Sequence, residues 1–228
     1  MKLIIGNKNY SSWSLRPWLH LRESGIDFEE VRIPLYAPGS AEAIARFSPA
    51  GRVPVLVDDD VTVWDSLAIV EYVRERRGDA AGWPDERAAR ARARSIVAEM
   101  HSGFLGIREE LPFNIRARSP IALERLSETA RNQVARVLQI WSECRTENAY
   151  QGDWLFGRFT IADAFYAPVA LRFVTYGIEV PAAAQSYIDA VTGLASVREW
   201  IAAAQSEPET LDFIDRRVSS SSTPLSFG

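Results

Sequence analysis

Arg52-Val53-Pro54-Val55-Leu56-Val57-Asp58-Asp59-Asp60-Val61-Thr62-Val63-Trp64-Asp65-Ser66 is the stretch on which the fold turns. Val53–Val57 reads as a strand carrying a proline, which a sheet accepts only at an edge or a bulge. Asp58–Asp60 make a turn and Val61–Trp64 a return strand, so the short connection implies an antiparallel hairpin. Asp65-Ser66 then open a helix with apolar positions Leu67, Ile69, Val70 and Val73. Asp and Ser suit that place because their side-chain oxygens accept the free N–H groups of a first turn.

Working toward the amino terminus, Leu3-Ile4-Ile5 is a short apolar run ended by Gly6-Asn7, a buried strand. Ser11–Ser14 precede the helical stripe Leu15, Trp18, Leu19 and Leu21, with Pro17 placed in a first turn and Gly25 at the end. Phe28–Ile33 is a second strand, so the unit is βαβ with parallel pairing. Ala41–Phe47 is a short helix after Ser40. The order β-α-β-(α)-β-β-α is that of a thioredoxin-like α/β domain, assigned to residues 1–78.

Toward the carboxyl terminus, Gly78–Pro84 reads as a linker. Residues 85–217 are assigned to an all-α domain. Long helical patterns run over Asp85–Glu110, Pro120–Asn148 and Thr160–Tyr176, with a shorter one over Val197–Ala204. Thr160-Ile161-Ala162-Asp163 is a capping box, a folding device. Residues 218–228 read as a polar tail.

Composition narrows the function classes. The 228 residues are 47% hydrophobic and 25% charged with net charge -4, an ordinary globular balance without the concentrated basic face that nucleic acid needs. The single Cys144 excludes an intrachain disulfide and a multi-cysteine metal site, and two histidines are too few for a histidine metal centre. No segment is long enough to span a membrane and the start lacks a signal-peptide pattern, so a cytoplasmic protein without metal is expected.

Four motifs in this layout carry a resemblance: Asn9-Tyr10-Ser11-Ser12-Trp13-Ser14-Leu15-Arg16, Arg52-Val53-Pro54, Asp65-Ser66 and Thr160–Asp163. From Met1 to about Ala204 the chain resembles the soluble glutathione transferase family, nearest the serine-type classes, zeta and its bacterial relatives. The resemblance implies glutathione as co-substrate, a small electrophilic partner and a homodimer, to which Trp64 would contribute. The catalytic serine of that family lies five residues before an arginine, which selects Ser11 opposite Arg16 and leaves Ser12 and Ser14 as substitutes. It also implies that Ser12, Trp13, Arg52, Val53, Pro54, Asp65 and Ser66 bind glutathione, with a cis Val53–Pro54 bond, the Val53 backbone pairing with the cysteinyl unit, Ser66 on the γ-glutamyl carboxylate and Asp65 near its ammonium.

The chemistry suits the placement. A free thiol has a pKa of about 8.5, and lowering it by about two units requires about 2.7 kcal/mol. One hydrogen bond to a charged group supplies roughly 1.5–3 kcal/mol, and a helix N-terminus about 0.3–1 more. A second pocket is expected from Tyr10, His101, Phe104, Arg108 and Asn114. His101, Phe104 and Arg108 follow i, i+3, i+7 spacing. That face either lines a pocket for an aromatic or acidic substrate or makes an interdomain contact with Arg108 paired to a carboxylate. Arg172 is an outside candidate. Zeta isomerases carry a cysteine where Trp13 stands, which favours a conjugating or peroxide-reducing enzyme over an isomerase. A non-catalytic scaffold on the same fold is the competing reading.

Overall fold

The computed structural model describes residues 1–78, 81–148 and 151–221. Four strands form one mixed sheet in the order β2-β1-β3-β4. Strand β1 (Lys2–Ile5) pairs parallel with β2 (Glu29–Arg32) and antiparallel with β3 (Val55–Asp58), which pairs antiparallel with β4 (Val61–Trp64). Alternation divides β1 between two cores. Leu3 and Ile5 join the main apolar cluster, while Ile4 joins Ile33, Ile44 and Val55 in a small cluster on the other face. The short helix α2 (Ser40–Ala45) supplies Ile44 to that second face.

Helix α1 (Ser12–Glu23) begins earlier than its apolar stripe implied, with Ser11 as N-cap. Pro17 therefore sits in the second turn, not the first, and withholds an N–H from the Trp13 carbonyl. The helix ends where Gly25 takes φ +62° and Gly25 and Ile26 donate to the carbonyls of Arg22 and Leu21, a Schellman closure. Helix α3 (Ser66–Arg76) starts at Asp65, as expected.

The helical half holds α4 (Arg87–Ser102), α5 (Leu105–Glu110), α6 (Glu128–Asn148), α7 (Ile161–Tyr176), α8 (Ala182–Gly193), α9 (Ala195–Ser206) and α10 (Asp212–Ser221). Four features differ from the sequence expectation. The pattern over Pro120–Asn148 is an α-helix only from Glu128, after a single 3-10 turn at Leu123–Arg125. The pattern over Asp85–Glu110 is two helices, because Gly103 ends α4 and Phe104 takes a left-handed conformation, φ +59°. Helix α8 is additional, burying Ala184, Tyr187, Ile188 and Val191 at helical spacing. The stretch expected to start a polar tail at 218 continues α10 to Ser221, and residues 222–228 lie outside the described residues.

Helix α7 is the central post. Its capping box closes as the sequence implied: Thr160 N–H and Oγ1–H donate to Asp163 Oδ2 at 2.8 and 2.9 Å, while Leu155 N–H and Tyr187 Oη–H donate to Oδ1. Burial pushes the Asp163 carboxyl up to about 6. Helix α1 packs against α3 on one side and against α7 and α9 on the other, so its first turn lies where the two halves meet. Among the described residues no helix is long and apolar enough to cross a membrane.

Candidate active site

The first turn of α1 is built from hydroxyls. Ser11 Oγ accepts the Ser14 N–H at 3.3 Å and lies 2.7 Å from Ser14 Oγ, which in turn accepts the Gly6 N–H at 3.1 Å. When the Ser14 hydroxyl donates to Ser11, the Ser11 proton is left free. Ser14 itself is fully buried beneath the end of β1, which removes it from contact with a ligand. Ser12 Oγ accepts from Arg172 Nη2 at 3.3 Å, which leaves its own proton uncommitted.

A cavity of about 370 Å³ lies beside this turn, lined by Trp13, Ala50, Arg52, Val53, Pro54, Trp64, Asp65 and Ser66. Six of the residues singled out from sequence for a tripeptide ligand thus share one wall. The Val53–Pro54 peptide bond is cis. Ser66 is 1% exposed and its Oγ has no partner. It stands at the start of α3, where backbone N–H groups and the positive end of the helix favour a carboxylate. Asp65 holds φ +76°, a left-handed conformation outside glycine that costs of order 1–3 kcal/mol and clusters at binding sites. Ser11 and Ser12 are not on this wall; they immediately precede Trp13, which is.

The carboxylate of Asp65 is already engaged. Oδ1 accepts the Leu67 and Ala68 N–H groups at 2.8 and 3.3 Å, and Oδ2 lies 3.1 Å from His101 Nε2. His101 also meets the Trp13 ring edge-on, 5.3 Å between centroids. Burial holds the His101 pKa below its ordinary value, Arg16 and Arg108 add to this, and Asp65 opposes it.

The expected second-pocket set is only partly brought together. Phe104 does not share a helix with His101; it is buried and begins α5. Among the described residues Arg108 is paired to no carboxylate. It folds back on the end of α4, donating from Nε to Gly103 O at 3.0 Å and from Nη2 to Met100 O at 2.5 Å, with its guanidinium 4.6 Å from the Trp13 ring centre. Tyr10 and Asn114 belong to a separate network. Tyr10 Oη and Asn114 Nδ2 both donate to the Asp215 carboxylate on α10, at 3.1 and 2.8 Å, and Arg116 Nη2 donates to Tyr10 Oη at 2.9 Å. Asn114, Arg116 and Asp215 line another cavity, of about 360 Å³.

Sequence reading missed two groups that fix this site. Glu207, 8% exposed, accepts the Lys8 and Asn9 N–H groups at 2.7 and 3.0 Å and so clamps the loop leading to Ser11. Asp215 anchors the same loop through Tyr10. Neither has a local signal, because each partner lies about two hundred residues away along the chain. No group of His, Cys, Asp and Glu able to hold a metal occurs among the described residues.

Known proteins share this plan. The family profile for the glutathione S-transferase N-terminal domain matches residues 10–76, and that for the C-terminal domain residues 87–203. A probable maleylacetoacetate isomerase of Caenorhabditis elegans is 33% identical over 93 residues, 41% of this chain and 42% of that protein, so the match spans less than half of that relative's length. A stringent starvation protein A homolog of Pasteurella multocida is 25% identical over 171 residues, 75% of this chain and 74% of that one. A Burkholderia glutathione transferase homolog, solved with bound glutathione, is 25% identical and superposes with a TM-score of 0.68 over 90% of this chain and 98% of its own. The chain belongs to the glutathione S-transferase family.

Proposed function

We propose that the protein is a glutathione-dependent enzyme that holds glutathione in the cavity bounded by Trp13, Pro54 and Ser66 and uses its thiolate to attack a small electrophile. The observation that carries the reading is the meeting, on that one cavity, of the partnerless Ser66 hydroxyl at the start of α3, the cis Val53–Pro54 bond, and Trp13, which directly follows the hydroxyls that open α1. Ser66 with the α3 N-terminus takes the γ-glutamyl carboxylate, and the Val53 backbone pairs with the cysteinyl unit in the manner of an added strand. Arg52, exposed on the same wall, meets the glycyl carboxylate. Asp65 is bound to α3 and His101, so its part is to shape the pocket and add negative field near the ligand's ammonium.

Ser11 donates to the sulfur, supported from behind by Ser14 and Gly6, and this relay stabilises the anion over the thiol. Ser12, fed by Arg172, is the second donor. A glutathione titration tests the reading. Calorimetry on the full chain shows binding at millimolar concentration or better, and ultraviolet titration of the bound thiol gives a pKa about two units below the free value of about 8.5. A bound thiol that titrates like free glutathione rejects the thiolate mechanism. Absence of binding favours a scaffold, a reading kept alive by likeness to the stringent starvation protein A homolog. Residues 1–78 and 85–217 form the two working units of this proposal. We place the protein in the cytoplasm as a homodimer, with Trp64, 46% exposed on the edge strand β4, as the natural apolar contact.

A further inference from the structure

His101, from the helical half, touches both helix starts that border the cavity of about 370 Å³. It stands in the last turn of α4. Its Nε2 lies 3.1 Å from Asp65 Oδ2, and its ring meets that of Trp13 edge-on at 5.3 Å between centroids. Asp65 caps α3 and Trp13 belongs to the first turn of α1. Both line the cavity, and His101 does not. The imidazole therefore reaches the cavity only through the two side chains it touches.

The contact fixes the roles of the ring nitrogens. A carboxylate only accepts, so Nε2 carries a hydrogen and donates to Asp65. Nδ1 is buried without a partner and is the atom that gains or loses the proton. Asp65 depends on such a neighbour. Its backbone holds φ +76°, which residues with a side chain rarely adopt. Oδ1 is taken by the N–H groups of Leu67 and Ala68. Oδ2 is the oxygen left for a ligand, and with two lone pairs it accepts from His101 and from a second donor together. The charged groups around the ring come from three elements: Asp65 before α3, Arg16 on α1 and Arg108 on α5. From α7 the neighbour is the uncharged Phe165, 6.1 Å away between centroids. Burial first, with both arginines, holds the ring below its ordinary proton affinity, and Asp65 opposes them. The ring is thus neutral near pH 7. Once acid protonates it, its charge offsets that of Asp65.

We infer that His101 is a positioning residue for glutathione: neutral, it aims Asp65 Oδ2 at the γ-glutamyl ammonium, and protonated, it takes that carboxylate for itself, so acid switches off recognition of the ammonium. This rests on the glutathione reading above. The sign follows from linkage. A ligand ammonium beside Asp65 disfavours a second cation on His101, so a proton on His101 disfavours the ammonium equally. Recognition is full while the ring is neutral and is lost as pH falls through its titration.

The test uses S-methylglutathione, whose blocked sulfur removes the titration of the thiol, and its deaminated analogue, in which a glutaryl group replaces the γ-glutamyl unit. Calorimetry on the full chain measures both ligands from pH 7.5 down to pH 5, and nuclear magnetic resonance follows the His101 ring over the same range. At pH 7.5 the wild type is expected to prefer the amine-bearing ligand about tenfold, the scale of one hydrogen bond to a charged group. That preference declines in step with protonation of the ring. His101→Gln keeps an N–H toward Asp65 but cannot titrate, so it retains the preference across the range. His101→Leu removes the donor and brings the preference within about threefold throughout. A histidine with only a structural part would weaken both ligands alike and leave their ratio unmoved. A wild-type preference that ignores the ring titration, or an undiminished preference in His101→Leu, overturns the inference and leaves glutathione binding standing. Equal affinity for the two ligands at pH 7.5 overturns it as well, because Asp65 then does not read the ammonium. If S-methylglutathione fails to bind at all, the proposed function falls and this inference with it. If His101→Leu does not fold, the pH profiles of wild type and His101→Gln decide.

Discussion

Replacing Ser11 by Ala separates the capping task seen in the structure from the thiolate-donating task proposed for this residue. As N-cap of α1 its Oγ accepts the Ser14 N–H, and loss of a serine cap costs about 1 kcal/mol. In a chain of this size that lowers Tm by roughly 2–4 °C, leaving the protein folded at assay temperature. As thiolate donor it supplies a hydrogen bond to a charged group, worth roughly 1.5–3 kcal/mol, or about 1–2 pK units. Starting from a bound thiol near about 6.5, two units below the free value, Ser11→Ala moves it to about 7.5–8.5. The thiolate fraction at pH 7 then falls by roughly 3- to 25-fold. The sign is set by the nucleophile: rate rises with pH through the thiol pKa, so the variant is slow at pH 6–7 and approaches wild type above its raised pKa. The assay is kcat/KM against pH with a conjugation substrate, alongside titration of the thiolate absorbance in the binary complex. An unchanged pKa in Ser11→Ala, with only the Tm loss, refutes Ser11 as the donor. The same experiment on Ser12→Ala then asks whether the hydroxyl fed by Arg172 carries the role.

Ser66→Ala removes the partnerless hydroxyl at the start of α3, and KM for glutathione should rise about tenfold or more, the equivalent of one lost bond to a carboxylate, with kcat little changed; an unaltered KM places the carboxylate elsewhere. His20 gives a pH signature of stability: it is fully buried, lies 2.5 Å from Ala81 O through Nε2, and burial lowers its pKa to about 4 from 6.5. Between those values the unfolded chain binds the proton and the folded one does not, so about 3 kcal/mol is present above pH 6.5, is lost progressively as pH falls to 4, and is flat below. Urea unfolding of wild type and His20→Gln across pH 4–7 checks this, and parallel curves refute it.

Elements whose stability is local were legible in the sequence, and those set by distant partners were not. Strand β1, the β3–β4 hairpin and α3 follow from apolar periodicity and turn residues, because the forces that make them act over a few positions. The Asp163 capping box is legible for the same reason. Pro17 misled because a helix start is fixed by its cap, and Ser11, not the first apolar residue, is that cap. The break between α4 and α5 was hidden because every residue from 105 to 110 suits a helix except Gly106. Yet Gly103 halts α4, and Arg108 then saturates the carbonyls at its end. The i, i+3, i+7 match of His101, Phe104 and Arg108 was therefore a coincidence of spacing across two helices.

The site divides along the same line. Pro54, Asp65 and Ser66 sit at element boundaries that the sequence marks, and the fold brings them to one cavity with Trp13. Tyr10 and Asn114 look like pocket residues in sequence, Tyr10 because an aromatic precedes the serines and Trp13, and Asn114 because it follows the helical stretch carrying His101. Their polar groups are instead consumed by Asp215 and Arg116, of which only the docking of α10 can bring Asp215 near. Glu207 works in the same direction on the neighbouring backbone. The loop carrying the proposed nucleophile-activating serine is thus held from the thioredoxin side by Gly6 and Ser14 and from the far end of the chain by Glu207 and Asp215. A donor held from both ends needs no reorganisation when charge develops on sulfur, which is the condition under which a single hydroxyl acts at full strength. On the proposed function, that gives the carboxyl-terminal segment a positioning part, although none of its described residues lines the cavity.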